Sequence, residues 1–398
     1  MEVQNQMKFL FVRLVHFLGI IFLDKKLKAN YSQEYKNILL IRLDEIGDVV
    51  LMTPLLREMR SNYPEADITL IVKPQVYNLV ELCPYVNKVM TFNRHEGRFS
   101  FIFNIIKAFR YAKVFLWKEK YDLVIVPRWD TDHYGASFLA FFSGGAKKLA
   151  YSEIVNESKR FLNKGYDGFF TDVFHTSDIK HEVLRNLDWI KVLGGDIQSD
   201  ELELWCNSND RKVAENLLSN KNKNDFLISV IVSAGNHNRE WSSKNFQKLF
   251  EDLLDFNQNI KFLFLGDEKN TRKIKNEIVT EKLNGKIIDC IGKTTLRQTV
   301  ALLRKSDFFI GLDTGPMHLA AACDLPGVVI SCHPKTGVVS HGNAPERFGP
   351  WKAEIVVLQR QKGLEGCING CKKSCAHCIN QVTVDEVFKV CKRKLKDL

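Results

Sequence analysis

DFFIGLDTGPMHLAAA, residues 307–322, is the stretch on which the fold is decided. Phe308 to Leu312 is an unbroken apolar run, which suits a parallel strand covered on both faces. It ends at Asp313, Thr314 and Gly315 make a turn, and Pro316 opens a helix whose first turn contains Met317 and His318. Proline in that place wastes no hydrogen bond, and glycine before it lets a ligand approach the backbone. Amide groups at such a helix start, with the helix dipole behind them, suit a diphosphate, and His318 can add a donor. The plainer alternative is that Asp313 or Thr314 merely caps the helix and His318 packs beneath it.

The same strand-turn-helix grammar extends in both directions. Upstream of residue 307 come FLISVIV (226–232), a helix from about Ser243 to Phe256, IKFLFLG (260–266), a helix near Glu268 to Val279, KIIDCIG (286–292) and a helix from Thr295 to Lys305 that opens on a T-x-x-Q capping box. Downstream lies PGVVIS (326–331). An earlier series starts at NILLIRL (37–43), with a helix from Asp48 to about Asn62, DITLIVK (67–73), a helix near Gln75 to Leu82 and VNKVMTF (86–92). It continues with an aromatic-rich helix from about Phe99 to Lys118, DLVIVP (122–127), a helix near His133 to Phe142 and KKLAYS (147–152). Between Glu153 and Asn224 the pattern loosens, with one helix expected over His181 to Leu193. Such alternation predicts an α/β protein with two Rossmann-like domains, 37–195 and 225–358, joined by a connector at 196–224. Two such halves facing each other would leave a ligand cleft at the carboxyl ends of their strands.

A second segment carries chemistry. In ILLIRLDEIGDVVLMTPLLREMR (38–60), a strand and a turn holding Gly47 place Asp48 in the first turn of a helix. The dipole there favours its ionised form, and an ionised carboxylate can take a proton from an attacking hydroxyl. Asp44 and Glu45 compete for that role.

The chain has 398 residues, 45% hydrophobic and 26% charged, with a mean hydropathy of −0.17, which rules out a disordered or collagen-like protein. Its net charge of +10 sits at the ends. Residues 1–36 hold six basic and three acidic side chains, and 359–398 hold nine and four, so the body is nearly neutral. A nucleic-acid enzyme would spread a basic stripe along its groove, so nucleic acid is not expected as a partner.

The N-terminal stretch Phe9 to Leu23 is apolar apart from Arg13 and His16, and Lys25, Lys26 and Lys28 come after it. It falls short of the roughly 20 apolar residues of a bilayer span, and no small-residue cleavage site follows. Residues 1–36 are therefore expected as a helix lying in an anionic membrane surface, with Arg13 and His16 on one face. The remaining readings are a terminal helix packed on the protein and a short span.

Cys83, Cys206, Cys290, Cys323 and Cys332 stand alone in apolar surroundings and read as buried thiols in a reducing compartment. Residues 359–398 form a Cys-rich basic tail with a C-terminal helix. Cys367, Cys371, Cys375 and Cys378 fall within twelve residues, with His377 among them and Cys391 beyond, and can hold zinc or an iron-sulfur cluster. The spacing lacks paired C-x2-C knuckles, so free thiols or disulfides remain alternatives.

The segments around Asp48 and Asp313 together resemble the heptosyltransferase family of bacterial glycosyltransferases, glycosyltransferase family 9. GGAKKLAYSE (144–153), VSAGNHNREWSSKNF (232–246), FLGDE (264–268), CIGKTTL (290–296) and FGPW (348–351) follow in the matching order, so the resemblance spans residues 37–358. It implies a GT-B fold, a nucleotide-activated donor (ADP-heptose in the best-known members) and inversion at the anomeric carbon without a catalytic cofactor. The acceptor it implies is a lipopolysaccharide core or other glycolipid, at the cytoplasmic face of the inner membrane.

By position, Asp48 then matches the general base. Arg239 falls where a basic residue, usually lysine, lies beside the leaving phosphates. Asp313, Thr314, Gly315, Pro316, Met317 and His318 match the diphosphate-sugar loop, and Asp267 or Glu268 the acidic residue at the nucleotide ribose. Gly47, Arg128, Asp130 and His133 are acceptor-side candidates. Asp130-Thr131-Asp132 is a D-x-D, which elsewhere marks a metal-diphosphate site; here Asp132 is expected to cap the next helix. The loop SCHPKTGVVSHGNAPERFGPW (331–351) departs from the family pattern, and its His333, Lys335, His341 and Arg347 are expected in solvent rather than on the nucleotide or sugar. Two competing readings remain: a GT-B-like nucleotide-sugar epimerase, and a non-catalytic membrane-attached metal-binding scaffold.

Overall fold

The computed structural model describes residues 2–26, 35–95, 100–364, 367 and 376–397. The chain forms two compact units. One comprises residues 1–45, 54–178 and 185–200, and the other 46–53, 179–184 and 201–398.

The first unit carries a parallel sheet of β1 (Asn37–Arg42), β2 (Asp67–Val72), β3 (Lys88–Thr91), β4 (Leu123–Val126), β5 (Lys147–Tyr151) and β6 (Asp172–Phe174), in the order β3-β2-β1-β4-β5-β6. In β1, β2 and β4 nearly every residue is buried, because helices cover both faces and leave no solvent side for a polar alternation. β6 lies in the stretch where no strand was expected; it is a three-residue edge strand paired to β5, with Asp172 exposed and Val173 and Phe174 half-buried.

The second unit repeats the plan with β7 (Phe226–Val230), β8 (Ile260–Phe264), β9 (Ile287–Asp289), β10 (Phe308–Leu312), β11 (Gly327–Ile330) and β12 (Ile355–Leu358), in the order β12-β11-β10-β7-β8-β9. Both sheets therefore have the Rossmann order. Their topological switch points lie between β1 and β4 and between β7 and β10, where ligands of open α/β sheets bind beyond the carboxyl ends. The helix Leu296–Leu303 opens on the expected Thr295–Gln298 capping box. The C-terminal helix Val384–Asp397 sends Val387 and Cys391 into the core of this unit, along with Ile379 and Val382 just before it.

The helix expected over 48–62 is two helices, Ile46–Val50 and Thr53–Asn62. Pro54 has no N–H for the carbonyl of Val50, and the Thr53 hydroxyl donates to that carbonyl instead, at 2.8 Å. The division of the chain falls at the same place: Ile46 to Thr53 packs with the second unit although β1 precedes it. The aromatic-rich helix runs over Ser100–Tyr111 and widens into a π-type turn at Ala112–Leu116.

The N-terminal helix Glu2–Lys26 packs on the first unit. Val12 is fully buried, Lys8 Nζ donates to the carbonyl of Leu162 at 2.6 Å, and Phe9 lies against Gly165. Arg13 and His16 do not share a face: Arg13 is exposed, whereas His16 turns inward onto Phe141, Phe169 and Gly168. Three residues along a helix leave about 60° between side chains, enough to straddle the boundary of a packed face. No helix among the described residues is long and apolar enough to cross a membrane.

Candidate functional site

All five residues of β10 are buried, so the strand delivers Asp313 to the carboxyl edge of its sheet as a fixed point. Thr314 has the extended backbone of a helix cap, yet its hydroxyl donates back to the Leu312 carbonyl at 3.4 Å and bonds no helix amide. The Asp313 carboxylate likewise goes elsewhere, accepting from the Ser331 hydroxyl at 3.4 Å and pairing with Arg239 at 3.3 Å. Side-chain capping is thus not what these two residues do. Pro316 has no N–H and the Met317 amide is bonded to the Thr314 carbonyl, which leaves the amides of Thr314 and Gly315 as the turn's donors for a ligand.

Two glycines let this turn meet the Asp48 helix within the second unit. A Cβ on Gly47 would lie 2.5 Å from the His318 ring, and one on Gly315 would lie 2.9 Å from Ile46 Cβ. With hydrogens in both places the helices Ile46–Val50 and Gly315–Ala321 start side by side, and half-buried Asp48 acts electrostatically on buried His318.

His318 is pushed down to about 3, first by burial and then by His181 and Arg239, with Asp48 opposing. Burial likewise pushes His181 down to about 4, against a hydrogen bond in which its Nε2 donates to the Gly349 carbonyl at 3.0 Å. Its ring stacks on Trp351 with centroids 4.5 Å apart. Both imidazoles are therefore neutral at physiological pH, able to donate a hydrogen bond without carrying charge.

These two histidines set a pH dependence. In the unfolded chain each histidine protonates near 6.5, whereas the folded protein holds both neutral far below that. Stability is therefore full above about pH 7 and falls with acid, by about 2 kcal/mol per histidine at pH 5. Urea unfolding at pH 7.5 and pH 5 should show the loss, and His181→Gln with His318→Gln should flatten that part of the slope. Equal slopes in the wild type and the double variant would refute the assignment.

Arg239 ends a short turn, His237–Arg239, beyond β7. It donates to the backbone carbonyl of Asp313 as well as pairing with the carboxylate, and so ties the carboxyl edges of β7 and β10 together across the switch point. Asp313 is raised by burial, with Arg239 and the Ser331 hydroxyl pulling it back towards the ionised form. The first unit has the same device. Arg128, beyond β4, pairs with Asp44, beyond β1, and its Nε donates to the Thr131 carbonyl at 2.6 Å. Asp44 is also bound by Arg42 at 2.7 Å, while Glu45 holds Lys73 at 2.5 Å and the Tyr134 hydroxyl at 2.8 Å. These bonds commit both competitors of Asp48 to structure.

Asp132 accepts from the backbone amides of Tyr134, Gly135, Ala136 and Ser137 and so caps the helix Ala136–Phe142, as expected. A carboxylate spent on four amides is a poor metal ligand, which argues against a metal at the D-x-D. Asp130 is half-buried and His133 exposed at the same carboxyl edge. In the second unit, Asp267 caps the helix Glu268–Ile278 through the Asn270 amide at 2.8 Å, and Glu268 is an exposed partner of Arg272 lying against Gly292.

The 331–351 loop corrects an expectation. Lys335 is in solvent, but Arg347 is completely buried: its Nε and one Nη reach Oε1 of buried Glu182 at 3.2 and 2.7 Å, and another Nη donates to the Ser340 carbonyl. His333 is also buried and stacks on His341 with centroids 5.5 Å apart. A basic loop reads as solvated only while its carboxylate partner is unknown, and that partner lies 165 positions away in sequence. His181 and Glu182 were missed for the same reason. Cys206, Cys323 and Cys332 are half-buried rather than buried. Cys371 and Cys375 lie outside the described residues.

The sequence model described as glycosyltransferase family 9 (heptosyltransferase) matches residues 113–375. The chain belongs to glycosyltransferase family 9. Lipopolysaccharide heptosyltransferase 3 of Escherichia coli K12 is 24% identical to this glycosyltransferase over 312 residues, covering 78% of this chain and 84% of that protein. Among solved structures, a family 9 glycosyl transferase from Veillonella parvula superposes with a TM-score of 0.71 at 20% identity, covering 93% of this chain and 99% of that one. The E. coli ADP-heptose lipopolysaccharide heptosyltransferase II does so with a TM-score of 0.68 at 18% identity, covering 91% and 99%. Those likenesses establish the two-domain α/β fold for this family 9 glycosyltransferase.

Proposed function

We propose that this glycosyltransferase moves a heptose or related sugar from an ADP-linked donor to a hydroxyl of a lipopolysaccharide core or similar glycolipid, with inversion. The observation that carries the reading is the meeting of two helix starts in the second unit, which brings Asp48 within electrostatic reach of His318, with the Arg239–Asp313 pair at the carboxyl edge of the sheet. A diphosphate at the Thr314–Gly315 turn finds two backbone amides, the Arg239 guanidinium and a neutral imidazole donor. As the sugar–phosphate bond breaks, its electrons stay on the nucleotide, and the cation and amides stabilise the growing charge without a metal. Asp48 takes the proton of the acceptor hydroxyl as it attacks the opposite face. Arg128, Asp130 and His133, at the carboxyl edge of β4, are the acceptor-side residues in this reading, and Asp267 or Glu268 reaches the ribose.

The test is to incubate the purified protein with ADP-heptose, UDP-sugars and GDP-sugars, with and without a lipopolysaccharide-core acceptor. Release of ADP that depends on the acceptor, with an inverted linkage in the product, is expected. Sugar epimerised without an acceptor would instead establish the epimerase reading.

An acceptor anchored in lipid calls for a membrane-facing surface, in this reading at the cytoplasmic face of the inner membrane, and apolar and basic side chains of the first unit are suited to it. Leu10, Leu14, Phe17, Leu18 and Ile21 are exposed along the N-terminal helix. Phe11 of that helix contacts Phe101, at the start of a segment that exposes Phe103, Ile106, Val114 and Phe115 interleaved with exposed Lys107, Arg110 and Lys113. Apolar groups for the acyl boundary and cations for anionic head groups are the ingredients of an interfacial surface. Leu14→Glu with Phe17→Glu should cut binding to phosphatidylglycerol vesicles by about tenfold or more, since each side chain contributes about 1.5–3 kcal/mol when buried. Co-sedimentation unchanged by the double variant would exclude this surface.

A further inference from the structure

Beyond the proposed site, and independent of the transferase reading, Cys367, His377 and Cys378 bring their ligand atoms within 4.8 Å of one another. His377 Nε2 lies 3.3 Å from Cys367 Sγ and 3.7 Å from Cys378 Sγ. On a tetrahedral zinc, with Zn–S of about 2.3 Å and Zn–N of about 2.0–2.1 Å, neighbouring sulfur and nitrogen ligands stand about 3.5 Å apart. Both cysteines are 2% exposed. Cys290 and Cys391 are buried thiols in apolar surroundings, whereas two thiols gathered round one imidazole, with Cys378 Sγ 3.8 Å from Nδ1 as well, form a soft donor set.

We propose that Cys367, Cys378 and the Nε2 of His377 hold a structural zinc ion. Two thiolates and an imidazole supply three of its four ligands and leave one position for a further donor. The site's purpose lies in the segment it anchors, residues 379–382. Ile379 and Val382 enter the core of the second unit, the Val382 carbonyl accepts from the indole of fully buried Trp241 at 2.9 Å, and the Asn380 side chain accepts from the Ser242 amide at 2.9 Å. Trp241 and Ser242 stand two and three residues after Arg239. The zinc would thus pin the segment that clamps the Arg239 loop, while the metal itself lies outside the transfer chemistry.

The test uses the full-length protein purified without chelator or added metal. Elemental analysis should find about one zinc per chain, and titrating the thiols of the native wild type with an organomercurial should release it stoichiometrically to a zinc indicator. Cys367→Ser, Cys378→Ser and His377→Ala should each lose most of the zinc. The release titration needs no variant, so the result stands even if a variant fails to fold. Zinc below about 0.2 per chain, iron in its place, or full zinc retained in any of the three folded variants would overturn the proposal.

Discussion

Asp48→Asn is expected to lower kcat by about 10²–10⁴-fold while leaving the KM for the nucleotide sugar within about threefold. The substitution keeps size and polarity, and the contact of Gly47 with His318 does not involve the altered group, so the junction of the two helices should survive. What it removes is a carboxylate at a helix start, where the dipole favours the ionised form that accepts a proton. Wild-type kcat should fall on acidification as the base is protonated, and the variant's residual rate should lose that limb. Asp44→Asn and Glu45→Gln serve as controls. They break the pairs with Arg42, Arg128 and Lys73, and are expected to reduce stability more than they flatten the pH profile. Acid-limb loss in Glu45→Gln rather than Asp48→Asn would move the base to Glu45.

The parts of this molecule legible in its sequence are those encoded locally. Buried parallel strands such as β1, β7 and β10 are continuous apolar runs, and the turns after them carry their own signals, as in the Pro316 helix start and the Asp132 cap. β6 escaped because three residues at an exposed sheet edge need little hydrophobicity, and β12 because IVVL comes after a long polar loop. The break at Thr53–Pro54 was visible as a proline, but its consequence, that Ile46 to Thr53 packs with the other unit, depends on contacts made with residues near 315. Arg347–Glu182 and His181–Trp351 are likewise pairings across more than a hundred residues, and no window of sequence holds both partners. Motif reading found the groups at the ends of strands and missed the buried groups that set their charge. Of these, His181 alters the site most, because it helps to keep His318 neutral.

Arg239→Ala is the second large effect, with kcat expected to fall about 10²–10³-fold, as for loss of one preorganised group that stabilises developing charge. The guanidinium serves two partners, the carbonyl and the carboxylate of Asp313, and remains partly exposed to a ligand. A planar fork can keep hold of Asp313 while turning another N–H to a phosphate oxygen; an ammonium is a point charge without that geometry. Arg239→Lys should therefore recover only part of the loss, leaving kcat about tenfold below wild type. Removing the cation also leaves the Asp313 carboxyl buried without its counter-charge, which pushes it further towards the neutral form, and the turn before Pro316 should loosen. Asp313→Asn in the Arg239→Ala background should cost little more than Arg239→Ala alone, whereas either change alone is damaging. A double-mutant cycle on kcat/KM measures that coupling, expected at about 0.5–3 kcal/mol for groups in contact. Strict additivity would mean that Arg239 and Asp313 act separately, and an unaltered kcat in Arg239→Ala would remove the residue from the leaving-group side of the reaction.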